Sequence, residues 1–348
     1  MKTIIQNIQI AAVASYLPKQ NLELCSLGEL FGEKEVSNIM KTTGIERLRI
    51  AEENETASDM CFHAATHLIE KEGISKSDID GLVFVSQTTD YILPATSVVL
   101  QNRLGLSRNT VCLDIHYGCS GYIYGLFQAA LWISSGACQN VLVLSGDTTS
   151  KMLHPNDKSM RMVFGDAGTA TLVTKGDSPM AFNICSDGSG SEQLIVQAGG
   201  FRLPKSEKTK ELIEDEDHNV RTLENLSIDG LGIFSFVISE VHPNVNAVIE
   251  QVGWNKEDVN LFAFHQANNY LLSYVQKRLK VPVDKIPMNV KNYGNTGPAS
   301  IPLLLSDIYS EKQEDLSKVI LSGFGVGLSW GSIACSLKGT RFYEPLNK

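Results

Sequence analysis

Apolar positions in this chain fall into three textures. Four short runs are apolar at every position: LVFV (82–85), VLVL (141–144), LFAF (261–264) and VIL (319–321). A strand that is apolar on both faces must be covered on both faces, so these predict the buried strands of layered sheets. Other stretches place apolar residues three and four apart. Phe234, Ile238, Val241, Val245 and Val248 form one such stripe, and GYIYGLFQAALWISSG (121–136) is a longer apolar helix candidate. Strands alternating with helices give a mixed α/β class. The third texture is PKSEKTKELIEDEDHNVR (204–221), rich in charge and poor in apolar residues. It reads as a surface excursion or a flexible loop, and its acidic run ELIEDED (211–217) as a solvated face.

The chain also repeats itself. IEKEGISKSDIDGLVFV (69–85) resembles IEQVGWNKEDVNLFAFH (249–265), HYGCSG (116–121) resembles NYGNTG (292–297), and VLVLSGD (141–147) resembles KVILSGF (318–324). The three matches keep one order and one separation of about 180 residues. Two copies of one unit, each with helix, buried strand, glycine-flanked turn, helix and buried strand, predict two pseudo-symmetric halves, 1–174 and 175–348. The charged excursion lies near 200–222 in the second half.

Composition narrows the class of function. A net charge of −9 over 348 residues argues against a nucleic-acid surface. Seven cysteines without a CxxC pair or a zinc spacing read as reduced thiols in a cytoplasmic protein, with no metal site. The apolar 121–136 segment is too short to span a bilayer, and the N-terminal run, interrupted by Gln6, Asn7 and Gln9, reads as a first strand.

The repeat register carries the candidate chemistry. It sets Cys119 opposite Asn295, each at a Gly-flanked turn before an apolar helix. Pro298 and Pro302 fit the first turn of the second helix. Facing helix starts place the two side chains at a shared centre. A thiol at a helix N-terminus is expected below its usual value of about 8.5, with backbone N–H groups near enough to hold an oxyanion. His265 ends the buried strand LFAF, where its counterpart in the first copy is Val85. Taken singly, Cys119 could be packing, His265 a core imidazole and Asn295 a turn former; their joint placement favours a site. His116 and Asp114 read as strand residues, Ser120 as a turn residue, and Trp132 and Trp330 as core. GFGVGLSWG (323–331) either permits a tight connection or lets its N–H groups approach a carbonyl oxygen.

These residues carry a resemblance. GCSG around Cys119, HQAN (265–268), NYGNTG (292–297) and GFGVGLSWGS (323–332) resemble the β-ketoacyl-acyl-carrier-protein synthase III family of the thiolase superfamily. TTGIERLRI (42–50), FGDAGTATLV (164–173) and SDGSG (186–190) support it. The resemblance implies the thiolase-like five-layer αβαβα fold and a homodimer. It implies Cys119 as the nucleophile that forms an acyl-enzyme, and His265 and Asn295 as donors to a malonyl thioester whose decarboxylation gives an enolate. The implied oxyanion hole is the backbone N–H groups of Cys119 and Val326. Leu93 matches a position reaching into the partner subunit's acyl tunnel; Phe164 and Gly325 match positions lining the substrate path. No cofactor is implied beyond acyl-CoA or acyl-carrier protein as donor and malonyl-acyl-carrier protein as acceptor.

The chain departs from the family in places. Asn38 and Thr42 stand where housekeeping members carry a Trp and an Arg against the adenine of CoA, and Tyr270 stands in place of an Arg that meets the carrier protein. Lys277, Arg278 and Lys280 remain as a basic patch. The expected reaction is therefore a decarboxylating Claisen condensation in fatty-acid or specialised biosynthesis. An acyltransferase of the same fold, passing the acyl group to an alcohol or amine, and a non-catalytic dimer partner are the alternatives.

Overall fold

The computed structural model describes residues 1–312, 314 and 316–347. The first half supplies β1 (Lys2–Ile5), β2 (Ile8–Leu17), α1 (Ala57–Glu72), β3 (Gly81–Val85), β4 (Val111–Ile115), α2 (Gly121–Ser134), β5 (Asn140–Asp147) and β6 (Ala167–Lys175). The second supplies β7 (Met180–Ser186), α3 (Gly230–Gln251), β8 (Leu261–Phe264), α4 (Asn269–Leu279), α5 (Ser300–Tyr309), β9 (Val319–Gly325) and β10 (Ser329–Cys335).

Two sheets result. One runs β2–β6–β5–β3–β4, and the other β1–β7–β10–β9–β8. The parallel pair β3/β5 has its counterpart in β8/β9, and the antiparallel pairs β5/β6 and β6/β2 in β9/β10 and β10/β7. The sequence repeat is thus a repeat of topology. The chain ends cross over: β1 pairs β7 in the second sheet, while the short strands Arg341–Phe342 and Leu346–Asn347 pair β2 in the first.

The continuously apolar strands are explained by what covers each face. Val83, Val85, Val141 and Val143 of the first sheet and Leu261, Ala263, Val319 and Leu321 of the second share one core. Ile123 and Leu126 of α2 and Ile301 and Leu304 of α5 complete it. On the outer face of the first sheet, Leu82, Phe84, Leu142 and Leu144 pack on Met60, Ala64 and Leu68 of α1. On the outer face of the second, Phe262, Phe264, Ile320 and Phe324 pack on α3 and α4 through Val237, Val241, Val245, Leu272 and Val275. The order is helix, sheet, paired helices, sheet, helices: five layers. Each fully buried Val, Leu, Ile or Phe contributes roughly 1.5–3 kcal/mol, which is why alternate residues on both faces are apolar.

Local signals agree with the boundaries. Thr56 and Asp59 close a capping box at the start of α1, and Gly73 ends it in left-handed geometry. Pro298 is the second residue of a short 3₁₀ turn, Gly297–Ala299, and Pro302 lies in the first turn of α5, where its missing N–H costs nothing. The α3 stripe differs from the expected one. Ile233, Phe236, Val237, Val241, Val245 and Val248 are buried, and Phe234 and Ile238 sit on its shoulder because Phe234 stacks outward on Tyr270 instead. The repeat breaks before NYGNTG, where the second copy forms a helical turn, Val290–Tyr293, in place of a strand like β4. β4 is left as an edge strand with Val111 and Leu113 exposed.

The charged excursion is an ordered strap. Ile213–Glu214 pairs Val220–Arg221 in a small hairpin. Arg221 reaches Asp157 and Asp215, both at 2.8 Å, and Asn219 accepts the Ser159 N–H. The strap is thereby fastened to 157–161, while its acidic run, apart from half-buried Asp215, stays exposed. Among the described residues no helix is long and apolar enough to cross a membrane.

Candidate active site

Cys119 lies one residue before Ser120, the N-cap of α2, at the layer where the paired central helices meet both sheets. Two cavities meet at it. The first, about 210 Å³, is lined by Cys119, Met160, Phe164, His265, Asn295 and Phe324 among others; no lysine or arginine is among its lining residues. The second, about 350 Å³, is lined by Met152, Leu194, Ile195, Val196 and Leu226 together with Gln87, His116 and Asp147. Cys119, Phe164 and Leu194 belong to both.

Each side chain is held by the elements around it. The Asn295 N–H donates to Val163 O at 2.9 Å, and its carbonyl accepts from Gly165 at 3.1 Å, which ties the turn to the segment carrying Phe164. The Asn295 Oδ1 accepts the Gly297 N–H at 2.9 Å. With its oxygen occupied, the carboxamide has its N–H₂ left to meet the Cys119 sulfur, with which it interacts. His265 is 1% exposed, with Nδ1 2.7 Å from Ser300 Oγ and Phe324 edge-on at 5.6 Å between centroids. Ser120 shares a 2.6 Å hydrogen bond with Ser329 Oγ, which donates to Val326 O at 2.7 Å. This chain of bonds fixes the 325–329 turn against the start of α2.

Gly325 shows how close that approach is. A Cβ there would fall 2.7 Å from Cys119 Cβ and 3.1 Å from its Sγ. Gly325→Ala is expected to push the sulfur aside and lower Cys119 acylation about 10²-fold, since displacements near 1 Å cost that much. Self-acylation rates read by intact-protein mass, with a thermal melt as control, check this.

The ionisation of the sulfur runs opposite to the sequence expectation. Burial, reinforced by the charge of Asp147, pushes the Cys119 thiol up to about 12; its own backbone N–H and Asn295 pull only weakly the other way. A helix start favours a thiolate locally, but desolvation between two sheets outweighs it. His265 is driven down to about 3 by burial, against a small opposing contribution from the Gly297 backbone. It is therefore neutral at working pH. The unfolded chain binds this proton near 6.5 and the folded one only near 3. Stability from this residue is present above about 6.5 and drains as pH falls towards 3, by roughly 1.4 kcal/mol per unit. Denaturant unfolding at pH 7.5 and 5 is expected to show His265→Gln losing less stability on acidification than wild type.

The other sequence candidates fall into two groups. Phe164, Gly325 and Val326 line the cavities. Leu93 does not: it is 79% exposed on a surface loop beside Tyr91 and Ile92. Lys277, Arg278 and Lys280 are exposed at the end of α4, with Lys277 5.6 Å above the Tyr274 ring. Asp114 caps the helix Thr96–Leu104 through two N–H groups. His116, read as a strand residue, lies just past the end of β4 on the cavity wall. Two contributors were missed, Ser300 and Asp147. The signal for Asp147 was a carboxylate closing the strand that carries the apolar run VLVL; nothing local marked Ser300.

Residues 113–188 match the family described as 3-oxoacyl-[acyl-carrier-protein (ACP)] synthase III, and residues 249–337 its C-terminal counterpart. A β-ketoacyl-[acyl-carrier-protein] synthase III of Streptococcus agalactiae is 34% identical over 330 residues, covering 93% of this chain and 98% of that protein. The crystal structure of a 3-oxoacyl-(acyl-carrier protein) synthase from Burkholderia xenovorans LB400 superposes with a TM-score of 0.94 at 36% identity, covering 100% of this chain and 99% of that one. The priming β-ketosynthase of the R1128 polyketide pathway superposes with a TM-score of 0.80 at 25% identity, covering 98% of each chain. With relatives this similar over nearly its whole length, and the cysteine, histidine and asparagine of the sequence motifs gathered around one pair of cavities, the chain belongs to the 3-oxoacyl-[acyl-carrier-protein] synthase III family.

Proposed function

We propose that the chain catalyses a decarboxylating Claisen condensation between an acyl thioester and a malonyl-carrier-protein thioester. The observation that carries this is the junction at Cys119: two cavities with apolar lining meet there, and one of them also holds His265 and Asn295. In the first step the Cys119 sulfur attacks the acyl thioester, forming a new thioester bond and releasing the donor thiol. The developing oxyanion is held by the N–H groups of Cys119 and Val326. In the second, the malonyl thioester enters beside His265 and Asn295 and loses carbon dioxide. The electron pair of the broken C–C bond becomes an enolate whose oxygen the two neutral donors stabilise. The enolate carbon attacks the acyl carbonyl, and the Cys119 sulfur leaves and recovers a proton.

Neutral donors suit this chemistry. A cation in the cavity would stabilise the substrate carboxylate that has to be lost. Here the charge finds donors only once it has moved to the enolate oxygen. A Ser300 hydroxyl donating to Nδ1 leaves Nε2–H as the ring's donor.

The working form is a homodimer, supported by the exposed apolar loop at Tyr91–Leu93 and the open edge of β4. Leu93 of one copy would close the acyl cavity of the other. Acyl-CoA or acyl-carrier protein supplies the acyl group, and Lys277, Arg278 and Lys280 meet an acidic carrier. Seven free cysteines fit a cytoplasmic protein. The test is incubation with acyl thioesters and malonyl carrier protein. Carbon dioxide release with a 3-oxoacyl product is the expected result; acyl transfer to an alcohol or amine without carbon dioxide release would favour the acyltransferase reading.

A further inference from the structure

We propose that Asp147 is a positioning residue for Cys119: its carboxylate, built into the wall of the cavity that the sulfur faces, governs how readily that sulfur gives up its proton. The inference rests on Cys119 being the nucleophile and adds the group that tunes it.

Asp147 ends β5, is 1% exposed and lines the same cavity as Cys119. One of its oxygens, Oδ1, accepts from Ser86 Oγ at 2.8 Å, from the N–H groups of Gln87 at 2.7 Å and Thr88 at 3.3 Å, and from Thr88 Oγ1 at 3.2 Å. The carboxyl is thus fixed in place. The other, Oδ2, is buried without a hydrogen-bond partner, and a Cβ on Gly297 would stand 2.9 Å from it, in the turn that carries Asn295. No donor to Asp147 is cationic. The titratable groups near it are Cys119 before α2 and Cys61 from α1, and His116 lines the same cavity.

A buried carboxylate with an unpartnered oxygen is a poor structural choice, because burial without a cation penalises its charge. Burial raises this carboxyl to about 7. The repeat sharpens the point. In the register of VLVLSGD and KVILSGF, Asp147 stands opposite Phe324, which lies edge-on to His265. One strand end carries an aromatic ring beside a neutral imidazole; the other carries a carboxyl beside the nucleophile. A negative charge there disfavours a second one on sulfur, so the resting enzyme keeps a thiol.

The test is the pH dependence of Cys119 alkylation by iodoacetamide, resolved by residue with mass spectrometry. Asp147→Asn keeps an acceptor at Oδ1 and removes the charge. Its alkylation midpoint is expected about one pH unit below wild type, with Asp147→Glu close to wild type. An unmoved midpoint in Asp147→Asn, or an equal shift in Asp147→Glu, overturns the proposal. Wild type gives an independent reading if the neutral variant does not fold. The logarithm of the Cys119 alkylation rate should rise with pH, flatten to a shelf as Asp147 ionises near 7, and rise again. One unbroken slope overturns the proposal. If Cys119 alkylates normally but is never acylated by thioesters, it is the proposed function that fails.

Discussion

Cys119→Ala is expected to abolish the acyl adduct and to lower condensation by on the order of 10⁵-fold or more, as removal of a covalent nucleophile does. The expectation is specific because the other thiols are poorly placed. Cys61, Cys138 and Cys335 are buried and, like Cys112 and Cys185, line neither cavity at Cys119. Cys25 is exposed but lines neither cavity at Cys119. Intact-protein mass after incubation with an acyl thioester should show one adduct in wild type and none in the variant. An adduct that persists in Cys119→Ala, or that maps to Cys138, would remove the nucleophile from the mechanism.

Asn295→Ala should separate the two half-reactions. Acylation is expected to stay within a few-fold of wild type, because the proposed mechanism assigns the oxyanion of that step to backbone N–H groups. Decarboxylation and condensation should fall about 10²–10³-fold, the usual effect of deleting one preorganised donor. The substitution also removes the acceptor for the Gly297 N–H, so a thermal melt must accompany the assay. Carbon dioxide release from malonyl carrier protein and acyl-adduct mass, measured on the same preparation, decide it. Parallel loss of both half-reactions would mean that Asn295 serves only to shape the turn.

The sequence showed much of this plan because the layers demand it. LVFV, VLVL and LFAF had to be strands covered on both faces, since no one-sided sheet tolerates apolar residues at successive positions. The repeat register placed HYGCSG opposite NYGNTG, and the fold does bring Cys119 and Asn295 to one centre. Where reading failed, the cause was neighbours distant in sequence. Phe234 left its stripe for Tyr270, 36 residues ahead in a different helix. His116 was set aside for its sequence position, yet the curvature past β4 turns it onto the cavity wall.

By itself, then, the sequence determined the alternation of strands and helices, the duplication and the choice of the three candidate side chains that the fold gathers, because periodicity and self-similarity are local or pairwise properties of the chain. Only tertiary structure decided their electrostatics. A helix start alone would have lowered the Cys119 thiol. Enclosure between two sheets, with Asp147 brought from β5 into the same wall, raises it, because desolvation and charge depend on everything that surrounds an atom and not on the residues beside it in the chain.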